Sequence, residues 1–123
     1  MKASLIRKDI VIFAFEPHPN NANNIKQNLK LNQLDRDIEL LELALVGDSS
    51  LTEITLHISN DIRMPSGSSI IESTVKPTQR KLNVEAMCGD DVAMKPRLLK
   101  IYVEGAEYEV LSGMEAILTE QKP

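Results

Sequence analysis

The chain has 123 residues, 42% hydrophobic and 26% charged, a make-up that allows one globular domain with a real core and leaves no room for a second. Eighteen acidic side chains against fourteen basic ones give a formal charge of -4, which argues against nucleic acid or an anionic membrane surface as the main partner. A single cysteine excludes an internal disulfide framework and a multi-cysteine zinc site. The first element, Ile10–Phe15, is continuously apolar and rich in β-branched and aromatic residues, which predicts a strand buried on both faces, as in a parallel sheet. It is far shorter than the ~20 residues that span a bilayer. Basic residues precede it, as in a signal peptide, but Glu16 ends it and no small-x-small cleavage site follows. The expectation is a soluble, cytoplasmic domain, or a piece of one.

Pro17-His-Pro-Asn20 punctuates the chain. Proline in a first helical turn, with asparagine as cap, predicts a helix to about Leu34. Ala22, Ile25 and Leu29 form its buried stripe. The many asparagines between Asn20 and Asn32 are poor interior helix formers, so packing rather than propensity must hold it. Ile38–Val46 reads as a second buried strand, stopped at Gly47-Asp48-Ser49. Leu51–Ser59 alternates, with Ile54, Leu56 and Ile58 on one face and Glu53, Thr55 and His57 on the other. His57 is expected to face outward on an edge-like strand, with no role. Residues 60–81 lack any period and predict a long surface loop. Leu82–Met87 alternates as a further strand, followed by a turn or short helix through Asp90-Asp91-Val92.

Leu98–Val103 reads as a third buried-type strand, ending at Glu104-Gly105. Ala106 to about Glu120 predicts an amphipathic helix with Val110, Leu111, Met114, Ile117 and Leu118 inward. Strand–helix–strand, a two-strand insertion, then strand–helix is a parallel α/β pattern.

Ligands of open α/β sheets bind beyond the carboxyl ends of the strands. That singles out Glu16-Pro17, Ala44 to Asp48, and Glu104-Gly105. A strand-end carboxylate can accept hydrogen bonds from both vicinal hydroxyls of a ribose, and Glu16 has this context; the plain alternative is a solvated cap. Asp90-Asp91 fits a helix-start acidic pair better than a metal site. His18 fits a solvated turn, and Cys88 a small buried hydrophobe. Lys100 can simply snorkel or pair with an acid. Glu104-Gly105 can be a strand-to-helix turn.

Several segments go further. Phe15-Glu-Pro-His-Pro-Asn20, with Ile25, Asn28 and Asn32 behind it, resembles the second strand and following helix of the FkbM-type S-adenosylmethionine-dependent methyltransferases. Ala44-Leu-Val-Gly-Asp48 is similar to that family's third strand end, Ser66-Gly-Ser-Ser-Ile70 to its serine-rich loop, and Asp90-Asp91-Val92 to its acidic pair. Leu99-Lys-Ile-Tyr-Val-Glu-Gly-Ala-Glu107, with Val110-Leu-Ser-Gly113, is similar to its lysine–Ile–Asp–Val–Glu–Gly–Ala–Glu signature. The resemblance covers residues 10–123. It implies a partial class I methyltransferase fold, a Rossmann-like three-layer sandwich whose mostly parallel sheet carries an inserted antiparallel pair. It also implies S-adenosylmethionine as methyl donor and a small-molecule or sugar hydroxyl as acceptor. Carried over residue by residue, Glu16, with Pro17 beside it, binds the ribose hydroxyls, and Ala44, Leu45 and Asp48 line the adenine. Lys100, Glu104 and Glu107 sit at the fourth strand's end near methionine or acceptor, with Glu104 favoured as the base that takes the acceptor's proton.

The departures matter as much. The family's acidic, glycine-rich cofactor loop belongs roughly 20 residues before the strand-end acid, whereas the first glycine of this chain is Gly47. Close backbone approach to the methionine end of the cofactor needs residues without a Cβ. Tyr102 stands where the signature has aspartate, and Cys88-Gly89 replaces its threonine–leucine. The chain therefore reads as a single truncated methyltransferase domain, lacking the first strand and loop, incomplete or inactive in isolation. The competing reading is a degenerate, non-catalytic interaction module. NAD-type binding requires the same loop and is the poorer reading. Unpaired edges on very apolar strands further predict self-association.

Overall fold

A computed structural model of the chain describes residues 10–59, 68–70 and 78–123. They fall into two compact units, Met1–Leu43 and Ala44–Pro123.

In the first unit, β1 (Ile12–Phe15) and β2 (Ile38–Leu41) pair in parallel, Ile12 opposite Ile38 and Phe15 opposite Leu41. The crossover carries α1 (Pro19–Leu31). Leu29, Leu34 and Ile38 form the core, with Ile12, Ala14 and Ile25 packed against it. The helix starts one step before the expected asparagine cap. His18 is the N-cap, its Nδ1 accepting the Asn20 amide at 3.2 Å, and Pro19 takes the first helical position, where a missing N–H costs nothing. The helix also stops short of Leu34. Gln33 turns left-handed (φ 56°), the Leu34 amide donates to the Leu29 carbonyl at 2.9 Å, and the Gln33 amide donates to that of Lys30 at 3.2 Å. This Schellman closure buries Leu34 against Leu29.

The expected single strand over Ile38–Val46 is two strands. The β1–β2 ladder ends where the Glu16 amide donates to the Leu41 carbonyl at 3.0 Å, and Glu42 turns out to pair with Lys26. β3 (Ala44–Val46) then begins the second unit with a different partner.

That unit's sheet has the order β3-β6-β4-β5, with β4 (Glu53–Ser59), β5 (Ser68–Ser69) and β6 (Thr78–Cys88). β3 pairs β6 in parallel, Ala44 opposite Ala86 and Val46 opposite Cys88. β4 lies antiparallel to both β6 and β5, with a register shift at Ile58/Ser59. Ala44, Leu56, Ile58 and Val84 make the core. The described residues form a mixed α/β structure in which β1–β2 and β3–β6 pair in parallel and the inserted β4 pairs antiparallel with β6 and β5.

Three further expectations change. The loop over residues 60–81 is strand at Ser68–Ser69 and from Thr78, because β4 needs antiparallel partners along its whole length; the rest of it lies outside the described residues. His57 is not outward on an edge: β4 is flanked by β6 and β5, and His57 is 8% exposed. Leu98–Val103 forms no strand, since a ladder needs a partner and none pairs with it among the described residues.

The last helix is broken. α2 (Glu107–Ser112) stops at Gly113, and a widened π turn follows at Ile117–Gln121. A Cβ on Gly113 would stand 2.0 Å from the Val46 carbonyl oxygen, so only glycine permits this approach. Val110, Met114 and Ile117 are buried as expected, whereas Leu111 and Leu118 are exposed, each one position round from that stripe.

Candidate functional site

In the first unit the candidates are Glu16 and Pro17, half-buried at the carboxyl end of β1. The fully apolar β1 delivers the Glu16 carboxylate to that end. Its Oε1 accepts the His18 amide at 2.8 Å. Oε2 has no hydrogen-bond partner among the described residues. His18 passes the chain of caps on to Asn20, so it is a helix cap rather than a free base.

In the second unit, Ala44 is buried and Leu45 half-buried on β3, while Asp48 lies exposed in the turn after it. Asp48 Oδ1 accepts both the Ser50 amide at 2.8 Å and the Ser50 hydroxyl at 2.7 Å. The hydroxyl and then the amide hold the Asp48 carboxyl below the usual carboxylate range. Gly47 packs close to Ser112 at the last turn of α2, whereas Glu107 opens its first. At 1.5 Å per residue these ends lie about 8 Å apart along the helix.

Glu104 and Gly105 form the turn into α2, and both are left-handed (φ 51° and 94°). Glycine takes that conformation freely; glutamate does so at a cost. The Glu104 carbonyl accepts the hydroxyl of the buried Ser69 at 3.0 Å, which leaves the glutamate side chain exposed. The serine-rich segment and Glu104-Gly105, both matched to the family pattern, therefore meet at Ser69. Ser69 was absent from the expected site residues, and the serine run at Ser66–Ser69 was its only signal in the sequence. Glu107 folds back onto the turn, its Oε1 accepting the Val103 and Gly105 amides at 3.4 Å each. Its own amide holds the Glu107 carboxyl below the usual range; burial opposes this, and the Val103 and Gly105 amides add smaller lowering effects. An ionised carboxylate occupied in this way is a clasp. Lys100 is exposed in the segment that leads to the turn.

His57 and Ser69 are direct cross-strand neighbours, and both are buried. His57 Nδ1 has no hydrogen-bond partner among the described residues. Burial, and then Asp91, Asp48 and Asp90, push the Cys88 thiol up, so it stays protonated and unreactive.

Among the described residues no group of three or more His, Cys, Asp or Glu side chains could hold a metal ion, and no helix is long and apolar enough to cross a membrane. A strand-end carboxylate with one oxygen open, that of Glu16, suits the ribose diol of S-adenosylmethionine.

No curated protein and no solved structure matches the chain. A family model, the methyltransferase FkbM domain, matches residues 3–123, nearly the whole length. The chain belongs to the FkbM methyltransferase family.

Proposed function

We propose that this chain is an S-adenosylmethionine-dependent methyltransferase domain of class I type, acting on a hydroxyl of a small molecule or sugar. The observation that carries the reading is the family match over residues 3–123, together with the carboxylate of Glu16 at the carboxyl end of β1. In this reading Glu16 Oε2 accepts from the ribose diol with Pro17 against it, and Ala44, Leu45 and Asp48 border the adenine. S-adenosylmethionine supplies an electrophilic methyl group to an oxygen that must be held in line with it. Glu104, exposed at a backbone turn pinned by Ser69, is the residue proposed to take the acceptor's proton. Glu107 positions that turn, and Lys100 contributes positive charge near it. The two compact units are proposed to belong to one methyltransferase domain.

The second reading, a non-catalytic interaction module, is favoured by one observation: Tyr102, in place of the signature aspartate, is 80% exposed.

Calorimetric titration separates them. The 123-residue chain is expected to show no measurable affinity for S-adenosylmethionine. The same chain joined to the acidic, glycine-rich strand–loop segment of an FkbM domain is expected to bind, and Glu16→Ala in the joined chain to weaken binding roughly tenfold or more, as loss of one charge-assisted bond of about 1.5–3 kcal/mol requires. Absence of binding by the joined chain would leave the interaction-module reading.

A further inference from the structure

His57 on β4 is 8% exposed, and its Nδ1 is shut off from solvent without a hydrogen-bond partner among the described residues. Buried side-chain nitrogens are rarely left so, and nothing arriving from solvent reaches this one. Its directly opposed neighbour on β5 is Ser69, itself buried. Such cross-strand pairs share a face, with their Cβ atoms about 4.5–5.5 Å apart. Lys81, opposite His57 on β6, is exposed and carries only donors. On its other side Ser69 Oγ donates to the Glu104 carbonyl at 3.0 Å. A hydroxyl that donates its one proton still has lone pairs with which to accept.

We propose that His57 and Ser69 are positioning residues for Glu104: Nδ1 of the neutral imidazole carries the hydrogen and donates it to Ser69 Oγ, which directs the serine's own proton onto the Glu104 carbonyl. Rotation about the His57 side-chain bonds closes the first bond, and the second is already made. The other tautomer, with Nδ1 bare, sets two acceptors, Nδ1 and the Glu104 carbonyl, in competition for one hydroxyl proton and leaves one of them unsatisfied. The chain of two bonds satisfies both, and each bond polarises the next. Its consequence lies at Glu104. That residue is left-handed (φ 51°), a conformation that a residue with a Cβ keeps only where its surroundings hold it. The left-handed backbone sets the direction of the Cα–Cβ bond and hence of the exposed carboxylate; release to the ordinary region turns it elsewhere. Two buried side chains thus aim an exposed one. What that aim does for proton removal from an acceptor rests on the function proposed above, whereas the hydrogen bonds themselves do not.

The imidazole nitrogen resonances of the isotope-labelled, unmodified chain read the tautomer without any variant. His57 is expected to carry its hydrogen on Nδ1 and to leave Nε2 bare. Two amide variants then test the geometry, because the asparagine nitrogen stands two bonds from Cβ, as Nδ1 does, and the glutamine nitrogen three, as Nε2 does. The readout is hydrogen exchange at the Ala106 amide, which closes the turn onto the Val103 carbonyl at 3.3 Å. Ser69→Ala is expected to speed that exchange roughly tenfold, as loss of one buried hydrogen bond requires. His57→Gln is expected to speed it by a similar factor, and His57→Asn to leave it close to that of the unmodified chain. A bare Nδ1 would overturn the proposal, and so would equal Ala106 exchange in His57→Asn and His57→Gln, or no change in Ser69→Ala. None of these measurements uses S-adenosylmethionine, so a chain that fails to bind it and a chain that lacks this hydrogen-bond path are told apart.

Discussion

The amide of Asp90 donates to the carbonyl of Gly113 at 2.9 Å, at the point where the last helix breaks. The Asp90 carboxylate then spans the break, its two oxygens accepting the Ala116 and Ile117 amides at 2.9 Å each. One residue thus closes the carboxyl end of α2 and caps the turn beyond it, in keeping with the preference of aspartate for first turns and caps. Asp90→Ala should therefore lower stability by about 1–2 kcal/mol, and Asp90→Asn, which keeps one acceptor oxygen, by less. Urea unfolding checks this; equal midpoints for all three proteins would mean that the carboxylate holds nothing.

Gln33 gives the opposite sign. Its left-handed backbone closes α1 at a conformational cost of about 1–2 kcal/mol for a residue with a Cβ. Gln33→Gly removes that cost and adds about 0.5–1 kcal/mol of unfolded-state freedom. The net expectation is a gain of roughly 0.5 kcal/mol, whereas Gln33→Ala should bring none. Thermal unfolding of the two variants side by side distinguishes them.

The turn at Glu104-Gly105 should respond to pH. The Glu107 carboxyl is held below its ordinary range by its own amide and by those of Val103 and Gly105. A lowered carboxyl binds fewer protons in the fold than in the unfolded chain, so the stability it confers is complete above the ordinary carboxylate range, about pH 4–5, and is lost as pH falls through the lowered value. Asp48 acts in the same direction through Ser50. Glu107→Gln should flatten the acid limb of the urea midpoint against pH, and combining it with Asp48→Asn should flatten it further. An acid limb unchanged in the double variant would remove both carboxylates from the account.

What the sequence made legible was local. The apolar run Ile10–Phe15 announces β1 and so places Glu16 at its end, and Pro19 marks the start of α1. What it hid was set by partners distant in sequence. Alternation along β4 assigns His57 to a face, but neither its burial nor its cross-strand partner Ser69, which comes from an aperiodic stretch, is written in that pattern. Leu98–Val103 has the composition of a strand, yet a ladder belongs to two segments. The glycine at Gly113 reads as part of a helix until the Val46 carbonyl is brought against it. Ser69 joins the site through a hydroxyl that reaches Glu104 across 35 residues of chain.

The proposed function requires Glu16 and Ala44–Asp48 to take S-adenosylmethionine once the glycine-rich segment is joined. Its most direct test is the amide spectrum of the isotope-labelled chain, joined to the glycine-rich strand–loop segment of an FkbM domain, recorded as S-adenosylmethionine is added. The expected result is a saturable shift of the resonances of Glu16 and of Ala44–Asp48, with the Asp90 and Asn32 caps unmoved. Shifts confined to other segments, or none at all, would contradict it.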